Sequence, residues 1–501
     1  MKTAKRLLSV SLALLLLLLS FAACGSEGGE TDTTAAATVQ ETTPPEETVL
    51  LDEYGREIIA DNLPDRKFTG DTFTVHTRGN VEQYEWYAPE QNGQTLNDAI
   101  YTRNVNVENR YGITINVIAE GTWADYDSAT LPKIKASIQA GDGAYDLIAG
   151  FSTPISTMAT TGLITNLNDY QYIDFDKPWW NQSIRDELSV NGITYFGVGS
   201  LSTSMLYSME CIFVNSDLLM DVAGNDYNIY ETVNKGDWTW DEMLRLSASA
   251  YIDNNNDGKV DEGDRIGFAT TDTNNTNSTI GFYYTTGLKL VRRDENNLPV
   301  VDVNVEKTSE AIDKMHRLLY TGDGVLSANL NPDFTKGNIL FFFHWLYGGQ
   351  TKYAGAMERY GIVPLPKYSA ELDRYYTTVQ SGMHMYCIPI DVKNPEEVGI
   401  LTEALAAESY RVLQPAYFEV VLKSRYAKDA PSSMMVDLMY DSVTFDFGMT
   451  YNSSLSILNV IQSNVKEDHN SFSGMFKSTK IVAERKLGEL IDAMTNPPSI
   501  K

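Results

Sequence analysis

Apolar and polar positions follow two different periods in the first third of the chain. Residues 72–76 (TFTVH) have the two-residue period of a strand, residues 96–111 have helical spacing, and residues 113–119 predict a second strand. A helix over 131–140 and a strand over 145–149 follow. Such alternation predicts a mainly parallel sheet that is covered by helices, with ligands bound at the carboxyl ends of the strands.

The same alternation returns later in the chain, after a block with its own pattern. A helix is predicted over 310–319, and strands are predicted over 338–343 and 361–364, while the block spans about 181–304. A lobe interrupted by a second lobe explains this order, so the fold class is α/β with two lobes. The predicted boundaries are 66–153 and 311–380 for lobe 1, and 154–310 and 381–501 for lobe 2.

The first residues predict export and a lipid anchor. Three basic residues, Lys2, Lys5 and Arg6, precede the apolar run 7–19, which is the layout of a secretion signal. The signal peptide (1–23) ends in a sequence similar to the lipobox of bacterial lipoproteins, in which Cys24 would receive diacylglycerol and palmitate. The alternative is an ordinary secreted protein in which Cys24 has no such role.

A flexible acidic tether is predicted over 24–65. Residues 25–48 are rich in Gly, Ser, Thr, Ala, Glu and Pro and contain no Lys or Arg, a composition that buries too little surface to order itself. No later stretch reaches the roughly 18 uncharged apolar residues of a spanning helix. We therefore expect an extracytoplasmic protein, held by lipid to the outer face of the cell membrane.

The charge balance narrows the classes of partner. The chain of 501 residues carries 39 Lys and Arg against 67 Asp and Glu, a formal net charge of −28. Proteins that bind nucleic acid gather basic residues to neutralise phosphates, so this balance argues against a nucleic-acid partner. A chain of this length also exceeds what one hydrophobic core usually organises, which agrees with two lobes.

Three short segments carry a family resemblance when they are taken in order with the lipobox and the opening βαβ pattern. They are 140–146 (AGDGAYD), 236–242 (GDWTWDE) and 360–366 (YGIVPLP). Over 66–500 the chain resembles extracellular solute-binding proteins of ABC importers, in the carbohydrate-binding, family 1-like branch of Gram-positive bacteria. The resemblance implies a periplasmic-binding-protein type II-like fold with a hinge and an interlobe cleft. It also implies a monomer without enzymatic activity or organic cofactor, which delivers a carbohydrate ligand, such as an oligosaccharide, to ABC permease subunits.

The resemblance also suggests where the chain crosses between lobes. Residues 197–200 followed by 207–215 are similar to the first crossing of this family, and residues 383–389 are similar to a later one. We expect the hinge at these segments.

The loop 253–264 has the spacing of a calcium-binding EF-hand loop. Oxygen-bearing side chains occupy alternate positions, with Gly258 at the sharp turn and Lys259 where a backbone carbonyl is the ligand. A strand is predicted after the loop instead of a second helix, which favours a structural Ca²⁺ ion over a sensor. An Asn- and Asp-rich surface turn is the alternative. The predicted ligands are Asp253, Asn255, Asp257, Lys259, Asp261 and Asp264.

Aromatic residues near strand ends are the best indication of the ligand site. Sugars present apolar C–H faces and hydroxyl edges, so their sites combine aromatic rings with amides and carboxylates. Trp345 is the first choice, because it follows a predicted strand, where related sugar-binding proteins place a stacking Trp. Burial in the core is the alternative for each aromatic residue. The other candidates are His344, Glu85, Trp86, Tyr87, Phe151, Ser152, Thr153, Asn274 and Asn275.

Two other functions remain open at this stage. A glycoside hydrolase needs only a pair of suitably spaced carboxylates, and the chain has many acids. A surface adhesin would hold a glycan without passing it to a transporter. The sequence contains no G-x-S-x-G, no H-E-x-x-H, no phosphate loop and no Cys/His pair that would nominate a nucleophile, which favours the solute-binding function.

Overall fold

The computed structural model describes residues 50–52, 56–79, 82–270, 276–326, 332–349, 353, 356–357, 359–418 and 430–498. Contacts divide the chain into two compact units, residues 1–57 and residues 58–501. In the first unit, Leu51 pairs with Glu57, and Arg56 donates to the carboxylate of Asp52. The predicted signal peptide, Cys24 and most of the predicted tether lie outside the described residues.

Strands and helices alternate through the second unit. The strands are β1 (Thr72–Arg78), β2 (Thr114–Glu120), β3 (Leu147–Phe151), β4 (Glu210–Asn215), β5 (Ile266–Thr270), β6 (Val291–Arg293), β7 (Pro299–Val301), β8 (Val325–Leu326), β9 (Ile339–Trp345), β10 (Tyr360–Pro364) and β11 (His384–Cys387). The first eight α-helices are α1 (Thr95–Tyr111), α2 (Leu131–Ala140), α3 (Ser152–Ser156), α4 (Gln182–Leu188), α5 (Ser204–Tyr207), α6 (Ser216–Ala223), α7 (Ile229–Lys235) and α8 (Trp240–Ala250).

The remaining helices complete the unit. They are α9 (Thr276–Tyr284), α10 (Val305–His316), α11 (Pro395–Glu408), α12 (Ala430–Asp441), α13 (Phe447–Thr450), α14 (Asn452–Leu455), α15 (Ile457–Lys466) and α16 (Phe472–Thr495). Within the described part of the chain, no helix combines the length and the apolar character needed to cross a membrane.

The first sheet confirms the opening βαβ pattern. Its order is β11-β3-β1-β2, with β1 parallel to both β2 and β3 and with β11 antiparallel to β3. Alternate residues of β1 point to opposite faces: Phe73 and Val75 join a core with residues of α1 and α11, whereas His76 packs against Tyr126 and Tyr145. Helix α1 ends at Tyr111 and is capped by Gly112, whose φ of 71° allows the turn into β2.

The second sheet corrects the predicted lobes. Its order is β10-β4-β9-β5-β8, so β9 and β10 pair with strands of the second lobe. The assignment of 311–380 to lobe 1 is therefore wrong. Parts of 154–310 and 381–501 are also misplaced. Trp179, Trp180 and α11 pack into the core that covers the first sheet, and β11 belongs to that sheet. A hydrophobic period predicts that a segment is a strand, but it does not show which sheet the strand joins.

Residues 58–65 belong to the folded unit, which corrects the predicted end of the tether. Ile59 and Leu63 pack against the core of the first sheet. Asp61 accepts hydrogen bonds from Arg110 at 2.6 Å and from Arg411 at 3.1 Å. Burial raises the pKa of Asp61, but hydrogen bonds from Arg110 and the Leu63 amide, with the charges of both arginines, outweigh burial and lower it to about 2. Any tether therefore has to end before residue 58, so the end predicted at residue 65 is wrong.

Candidate functional site

The carboxyl edge of the first sheet carries an aromatic surface that is open to solvent. Arg78 ends β1, Phe151 ends β3, and Trp123 lies in the turn after β2. The rings of Trp123 and Phe151 are stacked, with centroids 4.9 Å apart and an angle of 22° between their planes. The Arg78 guanidinium lies 4.8 Å from the Trp123 centroid and 4.9 Å from that of Phe151. Trp123 is 55% exposed, whereas Phe151 is 5% exposed.

The turn after β2 holds the indole at this edge. Asp125 accepts hydrogen bonds from the amide and the hydroxyl of Thr122, at 2.5 and 2.7 Å. Gly121 has a φ of 79°, and a Cβ there would come within 2.3 Å of the Thr130 hydroxyl, so the turn requires glycine. The result is a supported indole at the strand ends, where open α/β sheets bind ligands. Sequence reasoning missed Trp123, although its place directly after a predicted strand was a usable signal.

The predicted site residues after β3 have different roles in the structure. Phe151 forms the base under Trp123. The Ser152 amide donates to the carbonyls of Ser381 and Met383, at 3.1 and 2.9 Å, and its hydroxyl also donates to Ser381. Ser152 therefore ties the edge to the chain before β11. Thr153 is exposed beside it.

Trp86 is buried, which contradicts its prediction as a residue that stacks on a ligand. It is 0% exposed, its ring meets the edge of Tyr386 at 6.1 Å, and the Arg103 guanidinium lies 5.2 Å from its centroid. Periodicity could not separate a loop tryptophan that turns into the core from one that faces solvent. Its neighbour Tyr87 is 56% exposed.

Glu85 is buried at a junction between the first sheet and the chain that leaves it. Its Oε2 accepts a hydrogen bond from the Thr203 amide at 3.1 Å. Burial raises the pKa of Glu85 to about 7, against the opposing effect of that hydrogen bond and of the Arg103 charge. Because Glu85 is 4% exposed, its role in this structure is to join elements, and the prediction that it contacts ligand is corrected.

On the second sheet, Trp345 lies at the carboxyl end of β9, which runs parallel to β5. Trp345 is half-buried, and its ring lies 4.4 Å from that of His344. The His344 Nδ1 is 3.0 Å from the Trp345 carbonyl, and His344 is 4% exposed. Trp345 is thus at the correct edge for a ligand and His344 supports it, while their contact with a ligand stays a prediction. Asn274 and Asn275 lie outside the described residues.

Two antiparallel segments connect the sheets at the predicted crossings. Gly197 and Tyr386 exchange two backbone hydrogen bonds of 2.9 Å. Farther along, the Glu210 amide donates to the Thr378 carbonyl at 3.0 Å, at the start of the second sheet. The predicted crossings at 197–200, 207–215 and 383–389 lie on or directly beside this pair of segments. Motion about them stays a prediction.

A buried cluster of two tryptophans and a glutamate braces the first crossing. The indole N–H groups of Trp179 and Trp180 donate to the two carboxylate oxygens of Glu403, at 2.7 and 2.8 Å. Burial raises the pKa of Glu403 to about 7. Gly199 passes so close that a Cβ there would lie 2.0 Å from the Trp179 carbonyl. These tryptophans pack the connection between lobes.

The loop 253–264 connects α8 to β5, which confirms the predicted change from helix to strand. The side chain of Asp253 accepts from the Gly258 amide at 2.9 Å, and that of Asp257 accepts from the Lys259 amide at 2.8 Å. Asp264 is fully buried and accepts from the amides of Asn254 and Asp261. Among the described residues, no three Asp, Glu, His or Cys side chains converge as a metal site. The predicted Ca²⁺ site stays a prediction.

A family model for bacterial extracellular solute-binding proteins matches residues 105–410. This chain belongs to that family. Membership indicates an extracytoplasmic protein that binds a solute. No curated protein matches the chain.

Solved structures similar to this chain share its fold. The cyclic α-maltosyl-1,6-maltose binding protein of Arthrobacter globiformis is 14% identical with a TM-score of 0.55, and the match covers 84% of this chain and 98% of that one. The sugar-binding protein MalE of Xanthomonas citri is 14% identical with a TM-score of 0.55, and the match covers 85% of this chain and 100% of that one. The galacto-N-biose/lacto-N-biose I-binding protein of Bifidobacterium longum is 12% identical with a TM-score of 0.52, and the match covers 85% of this chain and 98% of that one. The solute-binding protein therefore has the two-lobed fold of the maltose-binding type.

Proposed function

We propose that this solute-binding protein captures a carbohydrate, most simply an oligosaccharide, between its lobes and delivers it to an ABC permease. The observation that carries the proposal is the open indole of Trp123, stacked on Phe151 at the carboxyl edge of the first sheet. A flat ring of this kind suits the apolar face of a sugar. The likeness to binding proteins for cyclic maltosyl-maltose and lacto-N-biose supports the same ligand class.

In this proposal, each of the two lobes contributes an aromatic ring to the site. Trp123 supplies the platform from the first sheet, and Trp345 supplies a second ring from the carboxyl end of β9. Tyr207 and Tyr347, whose rings lie 5.7 Å apart, place further aromatic surface beside the first crossing. Closure of the lobes would bring both sides onto the sugar and remove its apolar face from water.

The test is calorimetric titration of the chain that follows the signal peptide, with Cys24→Ser, against a panel of mono- and oligosaccharides. We expect saturable binding of at least one sugar without release of product. Hydrolysis of the glycan would instead indicate a glycoside hydrolase. Binding of an intact glycan that no permease imports would indicate an adhesin, and no binding across the panel would reject the carbohydrate proposal.

The anchor is part of the same proposal. Lipidation at Cys24 would hold a monomeric protein at the outer face of the membrane of a Gram-positive bacterium. The acidic tether would keep it within reach of the permease by raising its effective concentration there. Mass spectrometry of the membrane-associated protein would detect the diacylglyceryl group. An unmodified protein in the culture medium would contradict the anchor.

We further propose that the loop 253–264 binds a structural Ca²⁺ ion. Its side-chain oxygens recur at alternate positions, and Asp253 Oδ1 is buried without a hydrogen-bond partner, so a cation would satisfy it. At a Ca²⁺ concentration about tenfold above Kd, the free energy of unfolding of chelator-treated protein should rise by about 1.4 kcal/mol. D253N/D257N should abolish the rise, whereas D226N, at an exposed acid outside the loop, should retain it. An equal rise in the unfolding free energy of the parent protein, D253N/D257N and D226N would contradict the proposed Ca²⁺ site.

A further inference from the structure

A second concave site, lined by basic residues, lies in the second lobe. The turn after α9, the β6–β7 hairpin, the start of α10 and the loop that precedes the return crossing enclose a cavity of about 380 Å³. None of the residues predicted to contact the sugar lines it. Its volume lies within the range of pockets that hold small molecules.

The lining is basic on a strongly acidic chain. Four of the eleven lining residues are cationic, Lys289, Arg292, Lys307 and Arg374, and one, Asp302, is acidic. The whole chain carries a formal charge of −28. A gathering of positive charge in a concave surface focuses the potential and attracts anions there.

Two of these cations are paired and two are not. Lys289 pairs with Glu187, and Arg292 pairs with Asp302. Within the described part of the chain, Lys307 and Arg374 have no ion pair, and the Arg374 guanidinium lies 4.7 Å from the centroid of Tyr376. Both keep donors available at the pocket.

Helix α10 adds a second source of positive potential. Its N-cap is Asn304, whose side chain accepts from the Lys307 amide at 3.1 Å. Lys307 therefore lies in the first turn, where the helix dipole disfavours a cation. A bound anion would offset the repulsion between Lys307 and the helix dipole, because it attracts both the cation and the positive N-terminus of the helix.

A buried hydroxyl completes the wall. Tyr284 is 2% exposed, and its hydroxyl interacts with the Asp446 carboxylate. The Asp446 carboxylate lies behind it and accepts from the amides of Leu290 and Gly448, at 2.6 Å each. Tyr284 and the cationic side chains of Lys307 and Arg374 thus line one cavity.

We propose that this pocket binds a compact oxyanion, a phosphate or carboxylate group, as a second ligand site independent of the carbohydrate cleft. Arg374 supplies planar donors suited to two oxygens of such a group. Lys307 supplies a point charge, and the first turn of α10 supplies a favourable dipole. The inference does not depend on the identity of the solute in the cleft.

The probes are inorganic phosphate and citrate, titrated into the chain that follows the signal peptide (with Cys24→Ser) at fixed ionic strength, with chloride as the reference salt. Saturable binding is expected for at least one probe, and the probe that binds distinguishes phosphate from carboxylate. K307Q/R374Q should weaken this binding by roughly tenfold to a hundredfold, since each lost contact is charge-assisted. K466Q/K477Q makes the same change in net charge at exposed lysines outside the pocket and should leave the affinity unchanged.

Sugar binding should be the same in both double variants, which separates this site from the cleft. If K307Q/R374Q does not fold, K307Q alone provides the comparison. The absence of saturable binding to the parent protein at millimolar phosphate and citrate would overturn the proposal. An equal loss of affinity in the pocket and control variants would also overturn it, because net charge alone would then explain the effect. Failure of sugar binding would leave this result untouched.

Discussion

Two regions of the first lobe combine a pair of aromatic rings with one charged group and differ in their access to solvent. At the carboxyl edge of the sheet, Trp123 and Phe151 stack beside the Arg78 cation, and the indole is 55% exposed. At the first crossing, Trp179 and Trp180 hold the Glu403 carboxylate, and both indoles are at most 4% exposed.

The difference shows what separates a ligand platform from a structural cluster. In the buried cluster, both indole N–H donors are bonded and both carboxylate oxygens accept, so the group is satisfied internally. At the edge, the ring is supported from one side only and keeps a face for a partner. Tryptophan is present in both regions, so the packing around each indole, and not the residue type, decides whether its ring stays open.

The largest expected effect comes from opening the buried cluster. W179A removes a fully buried indole and one of the donors to Glu403, so the free energy of unfolding should fall by about 3–5 kcal/mol. Chemical denaturation of the chain with Cys24→Ser would measure it. I481A, at an exposed residue of α16, should cost under about 0.5 kcal/mol. A loss for W179A as small as that of I481A would contradict the structural role of the cluster.

The opposite outcome is expected at the open edge. W123A should weaken sugar binding by roughly tenfold to a hundredfold, because a large part of the apolar stacking surface is removed. The cost to stability should be only about 1 kcal/mol, from the lost contacts with Phe151 and Arg78. Titration calorimetry gives the first value and denaturation gives the second. I481A is the matched control. If W123A binds the sugar as tightly as I481A does, Trp123 does not contact the ligand.

How much of this could be predicted from the sequence depends on the range of the interactions involved. The βαβ unit and the turn from α8 through the loop to β5 are local patterns, and each was predicted within a few residues. The pairing of β9 with β4 and β5 depends on contacts distant in sequence, so the lobe boundaries were wrong. Trp86 and Trp123 follow strands in the same way, and only tertiary packing makes one core and the other surface.

Glu85 tests whether burial alone explains the behaviour of a charged group in the first lobe. Its pKa is about 7 in the folded protein, above the ordinary value of 4.5, chiefly because it is buried. The folded state therefore holds the proton more tightly, so this contribution to stability is complete below pH 4.5 and is lost as the pH rises through 7. The loss should be on the order of 1–3 kcal/mol.

E85Q imitates the protonated form, because an amide cannot ionise and its oxygen can still accept from the Thr203 amide. The decline in unfolding free energy between pH 5 and 8, measured by denaturation at several pH values, should therefore be smaller in E85Q than in the parent protein. Part of the decline should remain, since burial also raises the pKa of Glu403. E467Q, at an exposed residue, should leave the profile unchanged. Parallel profiles for E85Q and the parent protein would show that Glu85 is already ionised at its junction, compensated by Arg78 and Arg103, and that burial there does not govern its charge.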